Sequence, residues 1–256
     1  MSRIDPSFAY AQARLQARYG QRPRAGDWNR CAATPDLGAL LQVLRSAPLA
    51  RWVDRLAPRP DVHAIERHLR DAWCRDVDEV AGWQPGPWRD SIGWLRWIPY
   101  LPALEKLARG GRPPAWMRDD PVLGPVVARE PRERAAALGR TPLAPLARGF
   151  ARPHDVMTAW RTYWTGLWPA GHPGREPLES LLRAVSYQRQ QLANLPENAS
   201  TTEALTRLER RFQWCFRRNP LGPAAAVAYL GLVALDLRRL RGALAVRALG
   251  NGAAAA

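Results

Sequence analysis

Residues 208–250 constrain the fold most, because they have the pattern of two consecutive helices separated by the break Asn219-Pro220-Leu221-Gly222. In the second helix, one apolar seam recurs at alternating steps of three and four, which keeps it on a single face. Its members are Leu230, Val233, Leu237, Leu240 and Leu244. The other side carries Arg238, Arg239, Arg241 and Arg247, so it meets solvent or acidic groups. Such a pattern is typical of a packing or docking element, since an active site needs polar groups gathered for chemistry.

The same helical spacing recurs along the rest of the chain, and the alternation typical of β-strands is nearly absent. Asp61 is a predicted N-cap for a long helix that keeps apolar residues on one face until Gly82 ends it. Ser200 and Glu203 form a predicted capping box for a later helix. About eight to ten helices with short connections predict an all-α, multi-helix array.

A proline-rich stretch divides this helical pattern. Residues 112–153 contain eight prolines, which leave room only for short helical pieces, including one near residues 133–138. The predicted organisation is therefore an N-terminal helical repeat region over residues 1–111, a connector with short helices over 112–153, and a C-terminal helical repeat region over 154–256, packed as one body.

Charge and cysteine content set the compartment and the class of partner. The net charge of +15 suits nucleic acid, an anionic membrane surface or acidic proteins, whereas the predominance of arginine over the single Lys106 is explained by codon bias in a GC-rich genome. Cys31, Cys74 and Cys215 are isolated, which favours free thiols in a reducing compartment. We found no secretory signal pattern and no apolar run near the ~20 residues of a spanning helix. The expectation is a cytoplasmic chain with at most peripheral contact to a membrane.

No pattern in the chain predicts catalysis or ligand binding. His63 and His68 are five residues apart and so do not share a helical face, and His154 and His172 lie beside prolines. The acidic group Asp76, Asp78 and Glu79 fits a solvated helix face better than a catalytic pair. The glycines form no phosphate-binding loop. We therefore predict no catalytic residue, no metal ligand and no cofactor, and hence a protein that is not itself an enzyme.

The twelve tryptophans support two interpretations. Trp94 and Trp97, with Arg96 between them, make an aromatic and basic cluster of the kind that stacks nucleic-acid bases. An alternative function is therefore a helical nucleic-acid-binding protein with a Trp/Arg-rich surface. Trp160, Trp164 and Trp168, at steps of four, instead predict helix packing. Because the arginines are spread over every helix and not gathered on one face, nucleic acid is the less favoured partner.

The two ends of the chain resemble a known family. Near the start, an aromatic-Ala-Tyr run and an Ala-Arg pair lie on the first helix, at Phe8, Ala9, Tyr10, Ala13 and Arg14. Residues 62–113 have the layout of a long helix, a short break and a second helix, and the end carries Leu208-Glu209-Arg210, Cys215, Asn219-Pro220-Leu221-Gly222, Ala228-Tyr229 and Leu237-Arg238-Arg239-Leu240. In this order and spacing, the chain resembles the C/d family of V/A-type ATPase rotor proteins, named C in the V/A-type enzymes and d in eukaryotes, as a compact or divergent member.

The resemblance implies a funnel-like array of three-helix pseudo-repeats. It also implies a non-catalytic rotor-coupling subunit of a proton- or sodium-translocating ATPase, peripheral to the inner face of the cell membrane. The implied partners are the rotor-ring and central-stalk subunits, and the positive charge would also suit an anionic membrane surface. The residues expected near partner surfaces are Tyr10, Arg14, Arg217, Arg218 and Tyr229.

Overall fold

The structure is a computed structural model that describes residues 6–152, 155–194 and 201–253. These residues form thirteen α-helices and several short 3₁₀-helices, and none of them lies in a β-strand. The all-α prediction is confirmed. The three-helix pseudo-repeats and the funnel-like arrangement stay predictions.

The N-terminal helices include two that begin at aspartate caps. Their bounds are α1 Ala9–Gly20, α2 Ala25–Ala33, α3 Leu37–Arg45, α4 Val62–Trp83 and α5 Gly86–Gly93. The Asp61 carboxylate accepts a hydrogen bond from the Ala64 N–H at 2.6 Å, so the predicted start of α4 is confirmed. Asp36 accepts from the Ala39 N–H at 2.8 Å and makes α3 begin at Leu37.

Helix α2 has no counterpart in the sequence prediction, because its support comes from far away in the chain. Its buried residues are Trp28 and Cys31, too few for a periodic stripe. At its C-terminal end the Arg247 guanidinium donates to the carbonyls of Cys31 at 2.8 Å and Thr34 at 2.6 Å. A cation at this end of a helix satisfies free carbonyls and complements the helix dipole.

The middle of the chain is built from short helices interrupted by prolines. A 3₁₀-helix over Trp94–Tyr100 is followed by α6 Leu101–Ala108, α7 Gly124–Val127, α8 Arg134–Leu138, α9 Ala147–Phe150 and α10 Val156–Gly166. The predicted break of the helical run at Pro99 and the predicted short helix near residues 133–138 are both confirmed.

The C-terminal helices are α11 Arg175–Ala193, α12 Thr201–Arg218 and α13 Pro223–Ala253. The predicted break between the last two is confirmed, and Leu221 turns the chain there with a φ of 57°. Its N–H donates to Gln12 Oε1 at 3.2 Å, which ties this turn to α1. The predicted capping residue Ser200 lies outside the described residues.

Helix α13 is the central element of the C-terminal region. It packs against α1, α3, α4, α11 and α12. The predicted seam is buried from Leu230 to Leu244. Gly231 allows close approach to α12, since a Cβ there would lie 2.5 Å from the Phe212 ring.

By spatial clustering the chain forms two compact units. The first combines the described parts of residues 1–92 and 169–256, and the second is formed by residues 93–168 apart from the undescribed pair 153–154. The three sequence segments 1–111, 112–153 and 154–256 stay a prediction about sequence organisation. Within the described residues, every helix is too short or too polar to cross a bilayer.

Candidate functional site

Four of the five residues expected at partner surfaces have exposed side chains. Tyr10 is 61% exposed on α1. Arg14, one turn further along, is exposed and holds its guanidinium 5.2 Å from the centre of the Trp83 ring. Arg217 and Arg218 are exposed at the end of α12, and Arg217 lies 3.4 Å from the Tyr19 hydroxyl. These residues are available to a partner as the structure stands.

Tyr229 is different, because only 1% of it is exposed. Burial raises the pKa of its hydroxyl, and the nearby Arg51 guanidinium opposes that shift. Helix α13 is surrounded by other helices at this level, so its side chains here serve packing. Tyr229 therefore belongs to the core of the first unit and offers no side-chain surface.

Arg51 also belongs to a buried polar cluster under α4. The Asp76 carboxylate accepts hydrogen bonds from Arg51 Nη2 and from Trp52 Nε1, both at 2.7 Å. Burial raises the pKa of Asp76, and Arg51 and the Trp52 N–H oppose that shift. The sequence prediction of a solvated acidic face is wrong for Asp76, which is 8% exposed and internally paired.

A second ionic cluster joins the segment after α1 to α12 and α13. Arg22 donates from Nε and Nη2 to the two oxygens of Asp236, at 2.9 and 3.0 Å, and its Nη2 lies 3.2 Å from Glu209. Burial alone would lower the pKa of Arg22, but these carboxylates outweigh it and leave the pKa raised. The guanidinium thus stays charged and holds three elements together.

A third ionic contact ties α1 to α4. Arg18 Nη2 donates to both oxygens of Glu79, at 2.5 and 2.7 Å, and Arg14 approaches the same carboxylate at 3.9 Å. Glu79, which the sequence grouped with Asp76 as a solvated acid, is thus half-buried and paired. Cross-helix pairs of this kind fix the relative positions of α1 and α4.

These clusters suit mechanical rigidity better than chemistry. Every carboxylate in them is matched by a guanidinium, which leaves no poised general base. Burial raises the pKa values of the Cys31 and Cys215 thiols, which disfavours the thiolate that nucleophilic or metal chemistry needs. Within the described residues, no group of three histidine, cysteine or acidic side chains is arranged to hold a metal ion.

The tryptophan cluster of the alternative function is covered. Trp94 and Trp97 are each 8% exposed, and the Trp94 ring lies 4.5 Å from that of Tyr163. Stacking on a base requires an open ring face, so this cluster does not provide a platform for nucleic acid.

The exposed aromatic residues lie elsewhere, and the sequence analysis missed them. Trp214 is 52% exposed on α12, and Tyr187 is 60% exposed on α11. Trp116 is half-buried and the other ten tryptophans are buried. A signal was present, because Trp214 shares the helical face of Arg207 and Arg210.

Comparisons of the chain with protein-family models, with curated proteins and with solved structures found no match. The functional conclusion therefore depends on the residues and their geometry.

The pH dependence of stability provides a test of the Asp76 cluster. Because the folded-state pKa of Asp76 is raised above its unfolded value of about 3.9, its stabilising contribution is present at acid pH and is lost as pH rises through the folded-state pKa. Asp76→Asn keeps an oxygen acceptor for Trp52 but does not titrate. We expect the variant to gain stability relative to the parent as pH increases.

Urea denaturation from about pH 4 to pH 8 measures this difference in the free energy of unfolding. Asp71→Asn, an exposed acid on the same helix, is the control and should show a flat difference. A difference for Asp76→Asn that moves in favour of the parent with rising pH would contradict the assigned cause.

Proposed function

We propose that this chain is a non-catalytic coupling subunit of a V/A-type rotary ATPase. In this role it links the central stalk to the membrane rotor ring at the cytoplasmic face of the membrane. It would transmit torque as a stiff helical body and would not transform a substrate. The ion that is pumped does not enter this proposal.

One observation supports the proposal most. The two segments on which the family resemblance depends, near residues 8–20 and 208–229, are about two hundred positions apart, yet they pack against each other. Tyr19 stacks on Phe216 with ring centres 4.6 Å apart, and Gln12 accepts from the Leu221 N–H at 3.2 Å. The matched residues thus form one local structure, as expected if they serve one function.

The ionic contacts support the mechanical part of this role. A torque coupler must resist shear between its helices, and α1 is tied to α4 through Arg18 and Glu79. The segment that follows α1 is tied to α13 through Arg22 and Asp236. Buried charge pairs fix one register because any slip leaves an uncompensated charge. We infer that this region deforms as a unit.

The exposed cations at the end of α12 supply the docking part. Arg217 and Arg218 follow directly on the core residue Phe216, so the core holds them at a fixed position on the surface. Arginine and tyrosine are enriched at the residues that dominate protein interfaces. We propose that Arg217 and Arg218 contact acidic groups of a stalk or ring subunit, with Tyr10 and Arg14 on a second contact.

Binding to purified rotor-ring and central-stalk subunits from the same genome tests the proposal. We expect the full chain to bind at least one of them, and Arg217→Glu/Arg218→Glu to weaken that binding on the order of tenfold or more, because reversed charges repel an acidic partner. Biolayer interferometry at two salt concentrations measures the effect.

Arg67→Glu/Arg75→Glu is the matched control, since both arginines are exposed on α4 and the change in net charge is the same. If it weakens binding equally, the effect is one of total charge and the assigned contact is wrong. If the parent chain binds neither subunit, the coupling role is wrong.

A further inference from the structure

The exposed aromatics Trp214 and Tyr187 lie on one surface. Together with Arg207, Arg210 and Arg211 they line an open groove of about 540 Å³ between α11 and α12. We call these five residues the Trp214 surface. Two large, amphipathic aromatic side chains beside three guanidinium groups are more than the stability of a helix pair requires.

The core fixes the orientation of this surface. Helix α12 buries one side through Ala204, Phe212, Cys215 and Phe216. Arg207, Arg210 and Trp214 recur at steps of three and four on the opposite side, so they point outward together. Rotation of α12 that hid Trp214 would expose Phe212 and Phe216, which makes the outward position the stable one.

The charge of the Trp214 surface is not neutralised. Helix α12 has five arginines and two glutamates; Glu203 pairs with Arg207 at 2.6 Å, and Glu209 is directed to Arg22. Arg211 places its guanidinium 4.6 Å from the centre of the Trp214 ring and not beside a carboxylate.

The neighbouring groups leave this positive charge in place. Arg210 makes no hydrogen bond or ion pair with any described residue. On α11, Arg183 precedes Tyr187 by one turn, and the nearest acid before Tyr187 is Glu179, two turns back. The surface is therefore cationic on both helices.

We propose that the Trp214 surface binds the anionic phospholipid headgroup layer of a membrane. Tryptophan and tyrosine favour the boundary between headgroups and acyl chains, where the ring is in an apolar region and its polar tip is hydrated. Guanidinium groups match phosphate oxygens in a planar, two-pronged geometry. The proposal goes beyond the coupling role, since it needs no partner subunit.

The dimensions favour a membrane over a nucleic-acid strand. Residues 207–214 span only about 10 Å of helix, and the surface offers one open indole. A single-strand platform tracks several nucleotides and stacks successive bases on successive rings. A membrane contact needs only a small anchoring point with adjacent cations, as the Trp214 surface has.

Because Trp214 is the only tryptophan above half exposure, its fluorescence reports contact selectively. The full chain is titrated with vesicles of phosphatidylcholine, with and without phosphatidylglycerol, whose acyl chains carry bromine. We expect bromine quenching with the anionic vesicles and little with the neutral ones. Trp214→Phe should abolish this quenching while the helical circular dichroism stays unchanged.

The cations are tested by sedimentation with the same vesicles. Arg210→Ala/Arg211→Ala should lower the partition coefficient about 25-fold, since each arginine near an anionic surface contributes about fivefold. Arg67→Ala/Arg75→Ala removes equal charge from α4 and should change it less than about twofold. No stalk or ring subunit is present, so failure here is separate from failure of the coupling role.

Several results would overturn the proposal. They are absence of binding to anionic vesicles, equal binding to neutral ones, quenching that survives Trp214→Phe, and equal loss in the α4 control. A single-stranded DNA oligonucleotide that binds at physiological salt and is lost in Arg210→Ala/Arg211→Ala would assign the surface to nucleic acid instead.

Discussion

Arg22→Met is expected to lower the free energy of unfolding by about 3–5 kcal/mol. The substitution keeps most of the alkyl volume but removes both hydrogen bonds to Asp236, whose side chain is only 7% exposed. The carboxylate would be left in the core without a cation, which costs far more than the net value of an intact pair. Urea denaturation followed by circular dichroism measures the loss.

Arg207→Met is the matched control. Its partner is Glu203, and the two side chains are 50% and 78% exposed, so water replaces the lost contact. Exposed pairs of this kind contribute about 0–1 kcal/mol. Equal losses in the two variants would mean that the Arg22 cluster is solvated in solution and does not lock the helices.

A double replacement separates an orphaned charge from a lost attraction. Arg22→Met/Asp236→Leu removes both charges, and we expect it to recover most of the stability lost in Arg22→Met, because buried ion pairs are often replaceable by apolar groups of similar size. If the double variant is as unstable as the single one, the pair itself contributes the stability. That result would strengthen the mechanical role assigned to the cluster.

Local pattern was sufficient for the longest helices. Asp61 and the apolar spacing after it determined α4, and the seam from Leu230 to Leu244 determined the buried face of α13. In both cases the information lies within a few turns of one helix, where periodicity reports burial directly. The break before α13 was predictable for the same reason, since proline and glycine act locally.

Features that depend on distant residues were not predictable in this way. Helix α2 requires Arg247 from the far end of the chain, and Asp76 is buried only because Trp52 and Arg51 fold over it. Tyr229 was expected at a surface because the pattern of α13 was interpreted as two-sided, whereas neighbouring helices surround this part of it. Periodicity identifies one buried face and does not count the helices that pack around it.

The tryptophans show the same limit. The steps of four between Trp160, Trp164 and Trp168 correctly indicated packing, and all three are buried. The Trp94 and Trp97 cluster was interpreted as a candidate surface from its composition, but composition does not determine exposure. Trp214, which the pattern placed among arginines, is the one that reaches solvent.

Trp164→Ala is expected to cost about 3–5 kcal/mol of folding stability, because it removes the centre of this aromatic stack. The Trp164 ring is 1% exposed, and its centre lies 5.2 Å from those of both Trp160 and Trp168. Truncation to alanine therefore leaves a cavity between the two outer rings, and each lost aromatic contact adds to the cost. Trp164→Phe should cost less, since one ring remains. Thermal and urea denaturation of both variants give the ranking.

Trp214→Ala is the control of the same residue type, and a surface substitution of this kind changes stability by only about 0.5 kcal/mol. The comparison isolates burial, because the atoms removed are identical and only their surroundings differ. A loss in Trp214→Ala that matches Trp164→Ala would mean that Trp214 is packed in solution. In that case the Trp214 surface would belong to the core, and the membrane contact proposed for it would have no exposed anchor.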